Sequence, residues 1–267
     1  MAAASVFLER IFVVPGRVTS GDYPFNLALV RGLDIEFRTV VTFFVGENGT
    51  GKSTVIEAIA ELCRLPVSGG GRTELADGHG PDASSPLTPA LRPVFRKRPA
   101  DGFFLRAEFQ AHLASLLEKR AADPEFIGDP YARYGQRSLH TRSHGEAFLS
   151  ILQHRIRGGM LLFDEPESAL SPQRQLVLLA QMAALAASGD AQFIIATHSP
   201  ILLTFPGARI LSFDGDAVRE LALEDTSHYH VTRGILQNPQ AYWKHLTPDE
   251  GGHCQSDQPP RRRSRRR

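Results

Sequence analysis

Cysteine and lysine are both scarce in this chain. The two cysteines among 267 residues, Cys63 and Cys254, are too few for a disulfide framework and lack metal-site spacing. A reducing compartment, the cytoplasm, is therefore expected. No apolar run approaches the roughly 18–20 residues needed to cross a bilayer. The start, Met1-Ala2-Ala3-Ala4, has neither a charged region nor a long apolar stretch, so export is not expected. There is almost no excess of either charge, the net being +1, but six arginines fall within the last seven residues. That leaves 24 basic against 29 acidic side chains for residues 1–260, a mildly acidic body with a basic tail. No heptad run is visible, which excludes a long coiled-coil arm. With 42% apolar and 22% charged residues the body can bury a core. The length suits one α/β domain with a small insertion better than two independent domains.

Apolar, β-prone runs open the chain at Val6–Leu8 and Ile11–Val14, stopped by Pro15-Gly16. A second run, residues 35–45, alternates and then becomes almost continuously apolar, the pattern of a strand entering a sheet covered on both faces. An amphipathic helix with Val55, Ile59 and Leu62 at i, i+4 and i+7 follows. Residues 66–102, rich in Gly, Pro and Ser, read as a mobile surface loop. Order is expected to return at Gly102–Arg106, with helices near 109–121 and 146–156 and a buried strand at Met160–Phe163. A helix over 172–187, a strand at Phe193–Ala196 and two short strands about Asp214-Gly215 complete the body. A helical segment then runs to Leu246. Strands alternating with helices argue for a mainly parallel sheet covered by helices.

Four elements carry chemistry. Gly46-Glu47-Asn48-Gly49-Thr50-Gly51-Lys52-Ser53, with Thr54 next, fits G-x-x-x-x-G-K-[ST] between a strand and a helix. Its glycines let successive N–H groups turn toward a phosphate chain, and the following helix adds its positive end. Lys52, one of only four lysines, would reach the β- and γ-phosphates of ATP, and the Ser53 hydroxyl would bind Mg²⁺. Next, Met160-Leu161-Leu162-Phe163-Asp164-Glu165-Pro166 carries two carboxylates out of a buried strand. Asp164 would hold Mg²⁺ beside Ser53, and Glu165 would polarise the attacking water. In the third element, Ala196-Thr197-His198-Ser199, His198 is a candidate γ-phosphate sensor, although alone it would read as a structural histidine. The fourth is Arg142-Ser143-His144-Gly145-Glu146, where Ser143 and Glu146 have capping-box spacing; a capped helix start is also an anion site.

Together these blocks resemble the ATP-binding-cassette type of ATPase, and within it the small soluble AAA-family ATPases akin to the heads of chromosome-maintenance and DNA-repair ATPases. The resemblance also rests on Phe103-Phe104-Leu105-Arg106-Ala107-Glu108 and on Leu162-Phe163-Asp164-Glu165-Pro166-Glu167-Ser168-Ala169-Leu170-Ser171-Pro172-Gln173, and runs from about residue 5 to Leu246. It implies a P-loop α/β fold, an ATPase domain over 1–246 and a small helical subdomain near 109–157. It also implies a transient homodimer that sandwiches ATP, with Ser143 and Gly145 as the signature contacting nucleotide on the other protomer. Ser168–Ser171 would be the D-loop and His198 the switch histidine. His144 stands where the signature usually has glycine, and Ser171 where the D-loop usually has Asp. Glu108 and Gln110 both suit the Q-loop, and Tyr23 and Phe25 are both candidates to meet adenine.

The basic tail, 247–267, reads as a disordered extension, with nucleic-acid binding as its functional alternative. His228 and His230 lack a third ligand in sequence, so a surface turn is expected there rather than a metal site. The function expected is Mg-dependent ATP hydrolysis. The alternatives are an ATP-binding subunit of a membrane transporter, a phosphotransferase with a small acceptor, and a nucleic-acid-associated repair or defence module.

Overall fold

The computed structural model describes residues 6–18, 21–72, 84–106 and 109–246. Its centre is a seven-stranded sheet in the order β10-β9-β3-β8-β7-β6-β4. The inner five strands are β9 (Arg209–Ser212), β3 (Val41–Val45), β8 (Ala191–Ala196), β7 (Gly159–Asp164) and β6 (Gly102–Arg106), all parallel. Two short antiparallel strands, β10 (Arg219–Leu221) and β4 (Gly70–Gly71), close the edges. Every residue of β3, β7 and β8 is buried, which is why these segments read as unbroken apolar runs.

Alternate residues of these strands feed two cores. Phe43, Leu161, Phe163, Phe193 and Ile195 face one side, under helices Phe109–Ala122, His144–His154 and Pro172–Ser188. Phe148 of the second helix meets Phe163 edge-on, and Phe163 meets Phe193 the same way. Burying one such ring stabilises by roughly 1.5–3 kcal/mol, enough to hold the helix on β7. Phe44, Leu162, Ile194 and Ala196 face the other side, against Val55, Ile56 and Ile59 of the helix Lys52–Leu62.

This second side is closed by a three-stranded antiparallel sheet, β2-β1-β5, that the sequence reading does not foresee. The run 35–45 is divided, with β2 (Asp34–Glu36) pairing β1 (Leu8–Val13) while Val41–Val45 enters the central sheet. Residues 66–102 are not one loop. Residues 73–83 lie outside the described residues, but Leu91–Phe95 forms β5 along the whole of β1. Pro93 and the exposed Arg92 mask the strand in sequence, because only alternate side chains of β5 turn inward. The tail 247–267 also lies outside the described residues. Among those described, no helix is long and apolar enough to cross a membrane.

Strand register positions the site. Phe44 pairs with Ala196, Ala196 with Asp164, and Asp164 with Arg106. The C-terminal ends of four parallel strands therefore lie in one row, where doubly wound sheets bind ligands.

A wholly buried side chain ties the two sheets together. Gln192 on β8 accepts hydrogen bonds from the N–H groups of Phe7 and Leu8, both at 2.8 Å, and donates to the Leu8 carbonyl at 2.9 Å. Gln192→Ala leaves these groups unpaired in the interior and is expected to cost roughly 2–4 kcal/mol. Urea unfolding measures this; an unchanged midpoint would show that the junction does not depend on Gln192.

Candidate active site

The loop after β3 turns through glycines with φ of +142° at Gly46, +83° at Gly49 and +97° at Gly51. At Gly46 a Cβ would also stand 3.0 Å from the Asp214 carboxylate. Asp214 itself anchors the loop, accepting the Glu47 N–H at 2.8 Å from the end of β9. The helix Lys52–Leu62 starts directly at the loop, with Gly51 as its N-cap.

Lys52 is buried. Its ammonium donates to the Gly46 carbonyl at 2.5 Å and the Glu47 carbonyl at 2.8 Å. Burial pulls its pKa below the usual lysine value, and Glu165, Asp214, Asp164 and Glu47 pull it back up. The Ser53 hydroxyl donates to Asp164 Oδ1 at 3.1 Å. Across the same carboxylate, Arg106 Nε lies 3.7 Å from Oδ2, while Arg106 Nη1 donates to Glu57 at 2.7 Å.

Glu165 is one of three non-glycine residues with positive φ among those described, at +49°. This left-handed turn takes the chain sharply out of the sheet just after Asp164, a conformation that costs energy and concentrates at functional sites. Its N–H is tied to the Ala196 carbonyl at 3.0 Å, and Oε1 lies 3.6 Å from His198 Nε2. His198 is held in turn by Glu167, which accepts its N–H at 2.5 Å and the Thr197 hydroxyl at 2.8 Å.

The structure thus brings Lys52, Ser53, Asp164, Glu165 and His198 to one edge. A cleft of about 140 Å³ is lined by Tyr23, Asn48, Gly49, Gly51, Lys52, Ser53, Thr54 and Glu165. Neither Ser143 nor Gly145 lines it. Ser143 caps the helix His144–His154 by accepting the Glu146 N–H, and Glu146 Oε2 accepts the Ser143 N–H, both halves of the capping box. Arg174 Nη1 donates to the Ser143 hydroxyl at 3.1 Å. A side chain at Gly145 would collide with Arg174 and with the Ala169 carbonyl, 2.8 Å from a notional Cβ.

Of the two aromatic candidates, Phe25 is buried in the core beneath the loop and cannot meet a base. Tyr23 is 57% exposed, and its hydroxyl hydrogen-bonds that of Thr54. Glu108 lies outside the described residues, and Gln110 is described only in its backbone, in the first turn of Phe109–Ala122. The expected surface turn at His228 and His230 is instead the helix Ser227–Gln237, and His228 Nε2 lies 2.8 Å from His198 Nδ1. Asp214, Arg106, Glu167 and His228 were all missed as site residues. Only Arg106 and Glu167 stood within a recognised motif block.

Burial pushes the Asp164 carboxyl up to about 6, opposed chiefly by Arg106 and the Ser53 hydroxyl. Above that pH the folded protein carries an ionised, poorly hydrated carboxylate that the unfolded chain keeps in water. As pH falls from about 6 toward 3.8, the folded state binds a proton the unfolded state does not, and the penalty fades. The difference corresponds to roughly 3 kcal/mol. Asp164→Asn is therefore expected to stabilise the nucleotide-free protein at pH 7.5 by up to about that amount, with the gain shrinking below pH 6 and gone near pH 4. Urea unfolding across this range tests it; a gain independent of pH would refute the charge-burial account.

Two family models match the chain: one described as "AAA domain, putative AbiEii toxin, Type IV TA system" over residues 146–204, and one described as "AAA domain" over 25–63. They span the loop with its helix and the stretch containing Asp164, Glu165 and His198. A comparison with curated proteins finds no match. Similar solved structures include CbiO1 from Clostridium perfringens, part of the ABC transporter complex CbiONQ (15% identity, 91% of this chain and 100% of that one, TM-score 0.46). Another is the ADP conformation of an ATP-binding cassette of an ABC transporter (14% identity, 91% and 100%, TM-score 0.48). A bacterial Atm1-family ABC exporter with ATP bound is also similar (16% identity, 92% and 44%, TM-score 0.44). The strand–loop–helix and the acidic strand end lie on one sheet edge, AAA-domain models match both segments, and the site is that of a P-loop ATPase, an enzyme that hydrolyses ATP.

Proposed function

We propose that the chain works as a head-to-tail homodimer that holds Mg-ATP between the phosphate loop of one protomer and the Ser143 helix start of the other. The observation that carries this is the separation of the two anion-binding elements within one chain. The cleft at Lys52 is about 140 Å³, below the roughly 300 Å³ at which small-molecule pockets begin. It suits the phosphate end of a nucleotide and leaves the rest for a second surface. The capped N-terminus at Ser143, with the Arg174 guanidinium beside it, is such a surface.

The residues fit a magnesium ion. Ser53 Oγ and Asp164 Oδ1 are hard oxygen donors 3.1 Å apart, and Asp164 is a buried carboxylate whose pKa burial pushes up. Among the described residues no cluster of three or more His, Cys, Asp or Glu could hold a metal alone. A magnesium site completed by substrate phosphates needs no such cluster. Held by Ser53 and Asp164, Mg²⁺ would supply positive charge against the developing negative charge of the phosphates.

The chain's own groups do the rest. Loop N–H groups and Lys52 would grip the phosphates, the ammonium leaving the Gly46 and Glu47 carbonyls for phosphate oxygens. Glu165, projecting from its left-handed turn, would polarise the attacking water, and His198 beside it would donate to the γ-phosphate. Tyr23 is the aromatic surface available to the base. Lys52→Ala should accordingly abolish phosphate release.

Glu165→Gln keeps shape and hydrogen bonding but removes the charge that polarises water. ATP should still bind, and light scattering with Mg-ATP should show a mass near twice 29.4 kDa. A monomer at saturating ATP would count against the sandwich. The same trapped form, used as bait, separates a membrane-transporter subunit from a nucleic-acid-associated module by what it retains.

The trans arrangement has its own test. Lys52→Ala protein mixed with Ser143→Arg protein gives mixed dimers in which one site carries both lesions and the other neither. Random pairing makes about half the dimers mixed, so roughly a quarter of wild-type turnover should return. If crosslinking shows mixed dimers and no site binds ATP in the closed state, Ser143 does not act in trans.

A further inference from the structure

We propose that His228 is a positioning residue that fixes the tautomer of His198, so that His198 presents an N–H toward the phosphate. The inference rests on the reading of His198 as a γ-phosphate contact, and it adds a residue from outside every motif block. His228 sits in the first turn of the helix Ser227–Gln237. That turn is pinned by the buried Thr226, whose hydroxyl accepts the Tyr229 N–H and donates to the Leu223 carbonyl at 2.7 Å. The imidazole of His228 therefore reaches the sheet edge from a fixed base.

The two rings meet through His198 Nδ1 and His228 Nε2, 2.8 Å apart, with centroids separated by 5.0 Å. Their outer nitrogens, His198 Nε2 and His228 Nδ1, are buried without a hydrogen-bond partner. Burial, and next the neighbouring His198, hold the His228 imidazole below the usual histidine range, so it is neutral at neutral pH. Asp214 and Glu47 pull the other way, and Lys52 adds to the depression.

With both rings neutral each carries one proton, and the contact then allows two arrangements. If His198 donated from Nδ1, its bare Nε2 would face the Glu165 carboxylate at 3.6 Å and any incoming phosphate, lone pair against anion. His228 would then carry its proton on Nδ1, a buried donor with nothing to receive it. If His228 donates from Nε2, the repulsion at Glu165 is removed, and the unpartnered atom at His228 Nδ1 is a bare acceptor rather than a stranded N–H. His198 accepts at Nδ1 and carries its proton on Nε2, aimed at Glu165 and the phosphate position. The second arrangement is the stable one, and it is the one an anion needs. A ring oriented and tautomerised by a second group is a general device of catalytic histidines.

The test separates the dyad from the ATPase reading. Long-range ¹⁵N–¹H NMR of ¹⁵N-histidine-labelled, nucleotide-free protein should show His198 protonated on Nε2. His228→Leu should turn this into a mixture, whereas His228→Gln, whose amide NH₂ can donate to Nδ1, should keep it. In steady-state assays His228→Leu should lower kcat at least about tenfold with little change in KM, and His228→Gln should recover most of the loss. An unchanged His198 tautomer in His228→Leu would overturn the proposal. So would equal losses in the Leu and Gln variants at unchanged thermal stability. If the tautomer changes as described and kcat does not, His198 plays no part in hydrolysis and the positioning role falls with it. The Lys52→Ala result would stand in either case.

Discussion

The site depends on hydrogen-bond register across four parallel strands. Because Phe44, Ala196, Asp164 and Arg106 are paired in a row, residues from four distant parts of the chain leave the sheet at one level. A slip of one residue in any pair would exchange the side chains that feed the two cores and also displace a site residue. The two cores, each supplied by alternate residues of the same strands, make such a slip costly. Packing that holds the fold therefore also holds the separation of Lys52, Asp164 and Glu165. The left-handed turn at Glu165 is tolerated in this setting because its N–H is locked to Ala196 on the neighbouring strand.

That same edge gathers charge in poorly hydrated surroundings. Burial lowers the Lys52 pKa and raises that of Asp164, each group held in its uncomfortable state by oppositely charged neighbours. Elsewhere burial acts on an inert group, Cys63, whose thiol is pushed up to about 12 and so stays protonated. The difference lies in position. Cys63 closes a helix end inside the core, whereas Lys52 and Asp164 lie at the rim, where a ligand's charges can complete theirs. Any cation bound beside Asp164 would restore the stability given up there.

The legible part of the molecule was local. The phosphate loop, the Asp164–Glu165 strand end and the Ser143 capping box each lie within eight consecutive residues, where backbone demands and chemistry coincide. Strand β5 was hidden because Pro93 and alternating exposure mimic a loop, and its pairing with β1 joins residues about 80 apart in sequence. Asp214, read only as a hairpin turn, anchors the phosphate loop 167 positions away. His228 looked like a surface histidine because helix Ser227–Gln237 has no wholly buried residue, and its contact with His198 comes only from the way the β9–β10 hairpin returns the chain. Phe25 shows the converse: an aromatic residue in the right stretch of sequence, turned inward by packing.

The contacts around Gly145 bear on how two sites in the proposed dimer would sense one another. From Glu165 the chain runs directly into the short helical turn Pro166–Ala169, whose last carbonyl lies against Gly145. Arg174, in the first turn of the next helix, reaches back to the Ser143 hydroxyl and to Glu146 at 3.4 Å. The segment following Glu165 is thus packed on the Ser143 helix start. A shift at Glu165 would be transmitted through backbone and a guanidinium rather than through the carboxylate that Ser171 replaces. The pathway is short, and Gly145 is the point on it with no room to spare, since any Cβ there would push Ala169 and Arg174 apart. Substituting Ser171 leaves this packing intact; substituting Gly145 does not. In the proposed dimer, coupling would therefore rest on the close packing between the Glu165 turn and the Ser143 helix.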